Sequence, residues 1–214
     1  MRRWTRRRFV GAAAALGVLL PAAAYGVFVL ISGGGAPPLH ATLRGGGSID
    51  GTWDTVAAAP TAVGYRVREK LVGVPAPHDA VGRTSAVRGT IEIHDGTVRL
   101  LTLDADLSTL RSDRSERDQV LRDEGPQFGR FRHGRFVLRR PTSRGSPAVG
   151  DLTLHGVTRR VRVPFALAAR GDVLEAVGSF RIRFADYGFS PPRRPIVTID
   201  RSGTIEFRIR FRRR

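Results

Sequence analysis

Hydrophobic and polar residues alternate in short runs along most of the chain after Ser48. Gly, Pro, Asp or Ser bound these runs, and a period of two is that of a half-buried β-strand. Residues 150–167, GDLTLHGVTRRVRVPFAL, show the pattern best, because two alternating runs flank His155-Gly156 and arginines occupy the phase opposite the valines. The alternating runs are 63–67, 87–93, 101–107, 136–138, 152–154, 161–167, 180–184 and 205–211.

The repetition of such runs, with hardly any helical period between them, predicts an all-β fold. We expect an antiparallel barrel of about eight strands with one apolar and one polar face. Asp95-Gly96 predicts a hairpin turn. One short helix is expected within residues 112–124, where Ser112 or Asp113 is the candidate cap. A barrel of this size either fills its interior or holds one small ligand, and the pattern leaves both open.

The N-terminal region differs from the rest of the chain. Five arginines fall within residues 2–8, and residues 9–31 then carry no charge, a length sufficient to cross a bilayer. We therefore expect a cell-membrane protein with an N-terminal transmembrane helix and an extracytoplasmic barrel. The alternative is a signal peptide, cleaved after Ala22-Ala-Ala24, and secretion. The predicted parts are residues 1–32 as signal or anchor, 33–47 as a Gly/Pro-rich linker, and 48–214 as the barrel domain.

Charge and composition restrict the function classes. The net charge of +17 favours anionic surfaces, either phospholipid head groups or nucleic acid. The chain has no cysteine, which excludes disulfides and thiol catalysis, and its five histidines lack a metal-ligand spacing. Asp104 and Asp106 share one strand face and are expected on the polar exterior, although paired carboxylates can do acid/base work. We predict no enzyme, cofactor or metal site. A nucleic-acid partner is also not expected, because the aromatic residues mostly take the phase opposite the arginines.

Several segments together resemble the YceI-like family. They are GTWDTV (51–56), VGYRVRE (63–69), VGRTSAVRGTIEIHDG (81–96), RSERDQVL (114–121), GDLTLHGVTRRVRVPF (150–165) and FADYGFSPP (184–192). The resemblance spans roughly 49–211 and implies an exported or anchored, lipocalin-like barrel that binds a polyisoprenoid or other long-chain amphiphilic lipid. The family often has a small hydroxyl residue ahead of its first barrel strand and a Pro-x-x-x-Phe pattern before its middle strands. In this chain Thr61-Ala62 and residues 128–131 occupy these places.

A lipid-binding barrel would hold its ligand against the inward apolar phase and near the strand ends. Arg117 and His155 are candidates for contact with the polar head group, and the alternative for both is a structural role. Other functions remain open: a solidly packed structural or partner-binding barrel, and pairing of two barrels. The predicted ligand-binding residues are Tyr65, Val67, Leu101, Leu103, Phe128, Phe131, Phe136, Leu152, Leu154, Phe165, Leu167, Phe180, Ile182, Phe184, Tyr187 and Phe189.

Overall fold

Strands make up most of the computed structural model, which describes residues 35–73 and 76–214. One α-helix, α1 (Ser115–Asp123), and two 3-10 helices, Leu107–Thr109 and Phe184–Tyr187, accompany fourteen strands in this part of the chain. The strands are β1 (Gly51–Thr55), β2 (Ala62–Leu71), β3 (His78–Thr84), β4 (Val87–His94), β5 (Thr97–Asp106), β6 (Arg111–Ser112), β7 (His133–Leu138), β8 (Thr142–Ser143), β9 (Ala148–Leu154), β10 (Val157–Val163), β11 (Phe165–Arg170), β12 (Val173–Arg183), β13 (Val197–Ile199) and β14 (Ser202–Arg213).

All strand pairs are antiparallel and belong to one curved sheet, in which β14 is central. On one side β14 pairs with β12 along almost its whole length, and β12 pairs with β11. On the other side its first half pairs with β2 and its last residues pair with β1. From β1 the sheet continues through β4, β5, β7 and β9 to β10, and from β2 it continues through β3 to β6.

The alternation of the sequence is the alternation of the two sheet faces. In β9, for example, Leu152 and Leu154 are buried whereas Asp151 and Thr153 are more accessible. Fully buried side chains, Trp53, Leu174 and Phe211 among them, belong to the hydrophobic core. The Trp53 indole Nε1 donates to the Ile49 carbonyl oxygen (2.9 Å), which satisfies its polar atom inside the core.

The predicted all-β, antiparallel fold with one short helix is confirmed, but the predicted strand number and closure are wrong. The described residues contain fourteen strands instead of about eight. Hydrogen bonding does not run around the sheet as a ring, because in the described part of the chain β10 pairs only with β9 and β11 only with β12. The single run predicted over 161–167 is broken at Pro164, which has no amide hydrogen to continue a ladder.

The two predicted hairpin turns are present, but the helix begins later than its predicted caps. Asp95 and Gly96 have φ of 51° and 66°, and His155 and Gly156 have φ of 49° and 74°, as tight hairpin turns require. Helix α1 instead begins at Ser115, three residues after the first candidate cap, and Arg114 holds its N-cap position without a side-chain cap. The side chain of Ser112 accepts a hydrogen bond from the Arg114 amide (3.2 Å), so it orders the turn before the helix.

Residues 36–47, which we call the strap, cross the outer face of the sheet. The carbonyl oxygen of Ala36 accepts from Arg66 (2.6 Å), and that of Pro37 accepts from Arg83. Farther along, the amides of Thr42 and Leu43 donate to the buried carboxylate of Glu175 (2.7 and 3.0 Å). The segment predicted as a linker therefore lies against β2, β3 and β12, and the predicted domain boundaries stay a prediction.

The predicted transmembrane or signal helix, residues 1–32, lies outside the described residues. Within residues 35–73 and 76–214, no helix has the length and the apolar composition that crossing a membrane requires.

Candidate functional site

The inner face of the sheet surrounds a cavity of about 1010 Å³. This volume is at the upper end of the roughly 300–1,000 Å³ that small-molecule sites occupy. Side chains of β2, β3, β4, β5, β7, β9, β10, β11, β12 and β14 form the wall, and residues 113–117 before and within α1 lie at the mouth together with 194–197. The interior is therefore not solidly packed.

Small residues on inward positions explain why space remains. Ala80, Ala105, Ala148 and Ala176 all line the cavity, each on a different strand, and are less than a tenth exposed. A larger apolar side chain at any of these positions would project into the space that the curved sheet encloses. The alternating apolar residues thus form the wall of the cavity, and the alanines among them leave the enclosed space open.

Thirteen of the sixteen residues predicted to bind a ligand lie on this wall. The exceptions are Phe131, Leu167 and Tyr187. Leu167 is buried in the core, and Phe131 packs against the His155 ring, with 3.9 Å between ring centroids. Tyr187 is buried outside the cavity wall, and burial raises its pKa to about 12.

Sequence reasoning left out an entire row of cavity residues. Ile205, Phe207, Ile209 and Phe211 of β14 all line the cavity. Their alternation with arginines is as regular as that of the residues that were assigned, so the signal was present in the sequence. The central position of β14 follows only from its pairing with β1, β2 and β12, which the alternation does not specify.

A charged cluster lies at the mouth around Arg117. Its guanidinium contacts the carboxylates of Glu69 (3.2 Å) and Asp113, and Glu69 is also 3.1 Å from the ring of His78. Burial alone would lower the pKa of Arg117, but the two carboxylates outweigh that effect and raise it. Arg117 is thus a permanent cation whose charge is already balanced by its own neighbours.

Tyr65 lines the same cavity, and its hydroxyl group is buried. Within residues 35–73 and 76–214 this buried oxygen has no hydrogen-bond partner, and burial raises the pKa of the phenol well above its usual range. Gly82 makes room for the ring, since a Cβ atom there would be 2.4 Å from a ring carbon of Tyr65. A buried donor without a partner is costly, so this hydroxyl lowers the stability of the fold at the cavity wall.

Asp118 has a structural role beside the cluster. It is buried, and its carboxylate accepts a hydrogen bond from the Ser112 amide (2.8 Å). This contact fixes the segment that leads into α1 and so positions Arg117 in the first turn of that helix.

His155 is structural in its contacts. Its Nδ1 is 3.1 Å from the Tyr187 carbonyl oxygen, and its ring packs edge-on against Phe189. It does not line the large cavity, and instead borders a smaller, more open pocket of about 480 Å³. The structure therefore separates His155 from Arg117, the other residue considered for head-group contact.

The carboxylate pair of β5 serves surface contacts. Asp104 is 2.8 Å from the ring of His133. A hydrogen bond from Ser108 and the nearby Arg132 lower the pKa of Asp106 below its ordinary value, against the effect of partial burial. Neither aspartate lines the cavity. No group of three or more potential metal ligands occurs in the part of the chain that the structure describes.

Two solved structures share this fold. BcnA of Burkholderia cenocepacia aligns with a TM-score of 0.58 and 16% identity, over 73% of this chain and 98% of that one. A polyisoprenoid binding domain from Saccharophagus degradans, implicated in plant cell wall breakdown, aligns with a TM-score of 0.55 and 13% identity, over 76% of this chain and 98% of that one. At these identities the likeness shows the fold alone. A search of the curated proteins gives no match. The family model of the YceI-like domain matches residues 55–211, most of the chain, and the protein therefore belongs to the YceI-like family.

Proposed function

We propose that this protein binds a polyisoprenoid or another long-chain amphiphilic lipid inside the cavity, as a carrier or a store. The observation that carries the proposal is the apolar cavity of about 1010 Å³, open at the end where α1 lies. Family membership and the printed description of the Saccharophagus degradans domain support the same ligand class.

Burial of the hydrocarbon chain supplies the affinity. Each methylene group transferred from water into an apolar site contributes about 0.8 kcal/mol. About ten buried methylenes would contribute about 8 kcal/mol, which corresponds to a micromolar Kd before the cost of ordering the chain is subtracted. Few polar contacts are then needed, in agreement with a wall that is almost entirely apolar.

The polar end of the ligand lies at the mouth, near Tyr65 and Arg117. Arg117 already contacts Glu69 and Asp113, so an anionic head group would have to displace a carboxylate that is in place. A neutral head group with a carbonyl or hydroxyl oxygen fits this arrangement better than a diphosphate.

The sequence also allowed a solidly packed structural or partner-binding barrel. The cavity is the observation that disfavours it, since a packed interior would leave no space of this size.

We further propose that the protein functions at the cell membrane, with the sheet outside the cytoplasm. The support is the sequence of residues 2–8 and 9–31, a basic stretch followed by an uncharged apolar one. Protease treatment of intact cells, followed by detection of a C-terminal tag, tests this location: digestion in intact cells supports it, and protection until lysis contradicts it.

The ligand itself can be tested by extraction. We would purify the full chain from its native membranes, extract it with organic solvent, and identify and quantify the lipids by mass spectrometry. A stoichiometric prenyl or other long-chain species is expected. An extract that stays free of lipid, even after incubation with native lipids, would contradict the proposal.

A matched pair of variants ties the lipid to the cavity. Ala176→Phe adds a ring to the cavity wall, whereas Ala166→Phe adds the same ring to an exposed position of β11. We expect the first variant to lose most of the bound lipid and the second to keep it. Equal lipid content in both variants would place the lipid outside the cavity.

A further inference from the structure

Two large apolar side chains are exposed side by side at the cavity mouth. Val72 is 68% exposed and Ile196 is 46% exposed. The Val72 amide donates a hydrogen bond to the Ile196 carbonyl oxygen (2.9 Å), which holds the two residues next to each other. Across the described residues only one other large apolar side chain, Leu100, is classed as exposed. Single exposed apolar residues are common on protein surfaces, whereas Val72 and Ile196 are adjacent and Ile196 lines the cavity.

This pair is continuous with the cavity. Pro195, Ile196 and Val197 all line it, and Val197 pairs in register with Leu71, which is buried. Ile196 thus connects the exposed pair to the cavity wall, and Val72 lies beside that wall through its hydrogen bond to Ile196. We call Val72, Pro195 and Ile196 the apolar lip.

The lip has basic residues on its own side of the mouth. Lys70 and Arg193 are exposed and lie within three residues of the lip along the chain. Arg194 is also exposed and contacts Glu124 (2.8 Å). The helix α1 exposes the carboxylates of Glu116 and Asp123, and Glu124 at its C-terminal end pairs with Arg194. Lys70 and Arg193 are thus the exposed cations next to the lip.

We propose that the apolar lip docks on an anionic phospholipid bilayer, with Lys70 and Arg193 among the head groups. This inference rests on the proposed lipid-binding function, since docking there would let a lipid pass between bilayer and cavity without crossing water. Apolar side chains that insert at the interface, together with adjacent cations, are the features that bind proteins to anionic membranes. Two side chains and a proline are too small an area for a stable protein interface.

The absence of cysteine from the chain allows a direct test. In the full-length protein, Val72→Cys, Ile196→Cys and Leu100→Cys each create a single labelling site for an environment-sensitive fluorophore. Leu100 is the matched control, because it is an exposed large apolar residue that lies on β5, outside the lip. The labelled proteins are reconstituted in vesicles of phosphatidylcholine and phosphatidylglycerol that contain nitroxide-labelled lipid. We expect a blue shift and quenching at positions 72 and 196 and neither effect at position 100.

The charge requirement is tested in the same vesicles. Each basic residue near an anionic surface strengthens binding roughly fivefold. The double variant Lys70→Gln/Arg193→Gln should therefore lower the docking equilibrium by more than tenfold, and the quenched fraction at positions 72 and 196 should fall accordingly. Labelled proteins that keep Lys70 and Arg193 should show the same fall in the quenched fraction in vesicles of phosphatidylcholine alone.

Several results would overturn the proposal. Probes at positions 72 and 196 that remain unquenched, or equal quenching at position 100, would remove the lip from the membrane contact. A blue shift that needs no vesicles and rises with protein concentration would assign the lip to a second copy of this chain. Solvent extraction distinguishes failure of the docking from failure of the proposed lipid binding. Bound lipid without quenching refutes the docking alone. Quenching without bound lipid refutes the proposed function, and the lip then remains a membrane-docking surface.

Discussion

The contact between the strap and Glu175 can be measured by a double-mutant cycle. Glu175 is 1% exposed, and its carboxylate accepts hydrogen bonds from the Thr42 amide (2.7 Å), the Thr42 hydroxyl (2.7 Å) and the Leu43 amide (3.0 Å). Thr42→Val removes the hydroxyl and keeps the shape and the amide. The strap lies 133 residues from Glu175 along the chain, so the substitution tests a tertiary contact and not a local one.

The expected magnitude follows from the charge of the acceptor. A hydrogen bond to a charged group contributes about 1.5–3 kcal/mol, and a neutral one about 0.5–1.5 kcal/mol. Because Thr42 itself is exposed, we expect Thr42→Val to lower the free energy of unfolding by about 1–2 kcal/mol. In a Glu175→Gln background the same substitution should cost about half as much, since the acceptor is then neutral.

Urea unfolding of residues 35–214 provides the measurement, with the denaturant slope checked for constancy among the variants. Thr198→Val, which removes a hydroxyl from an exposed position of β13, is the control and should change stability little. Equal costs of Thr42→Val in both backgrounds, or a cost below about 0.5 kcal/mol in the parent, would show that the strap does not bind Glu175 in solution.

Two further predictions concern the same face of the sheet. Burial alone would raise the pKa of Glu175, but hydrogen bonds from Leu43, Thr42 and Arg210 lower it, so its stabilising effect is present above about pH 4.3 and is lost as the pH falls below that value. The stability difference between the parent and Glu175→Gln should therefore shrink on acidification in pH-dependent urea unfolding, and a constant difference would contradict the assignment. Gly64→Ala should destabilise by about 1–3 kcal/mol or more in thermal unfolding, since its Cβ would lie 2.0 Å from the Gly82 carbonyl oxygen. Gly46→Ala, with nothing within 4 Å, is the control, and an equal effect at both sites would refute the steric argument.

The sequence contained the two faces of the sheet but not its pairing. Alternation along residues 152–154 or 205–211 shows which side chains share a face of the sheet, because the side-chain period of a strand is two. It does not state that β14 pairs with β1, β2 and β12, and pairing decides both closure and strand number. Strands of two or three residues, such as β6 and β8, are too short to show a period at all.

The strap and the mouth show a second limit. The Pro- and Gly-rich composition of residues 33–47 is typical of a linker. Its contacts with Glu175 and Arg83 depend on residues that are distant in the sequence, so composition cannot reveal them. Arg117 was recognised as a candidate for head-group contact, but its balance by Glu69 depends on the position of α1 beside β2.

The gap between β10 and β12 has a mechanical consequence. These two strands lie beside each other, but among the described residues β10 pairs only with β9, and residues 179–183 of β12 pair only with β14. Backbone hydrogen bonds resist the separation of paired strands, so the wall can widen at this gap without breaking a strand-to-strand hydrogen bond. Under the proposed function, a ligand thicker or longer than the resting space would be accommodated there first, and the range of ligands would depend on this gap as well as on the enclosed volume.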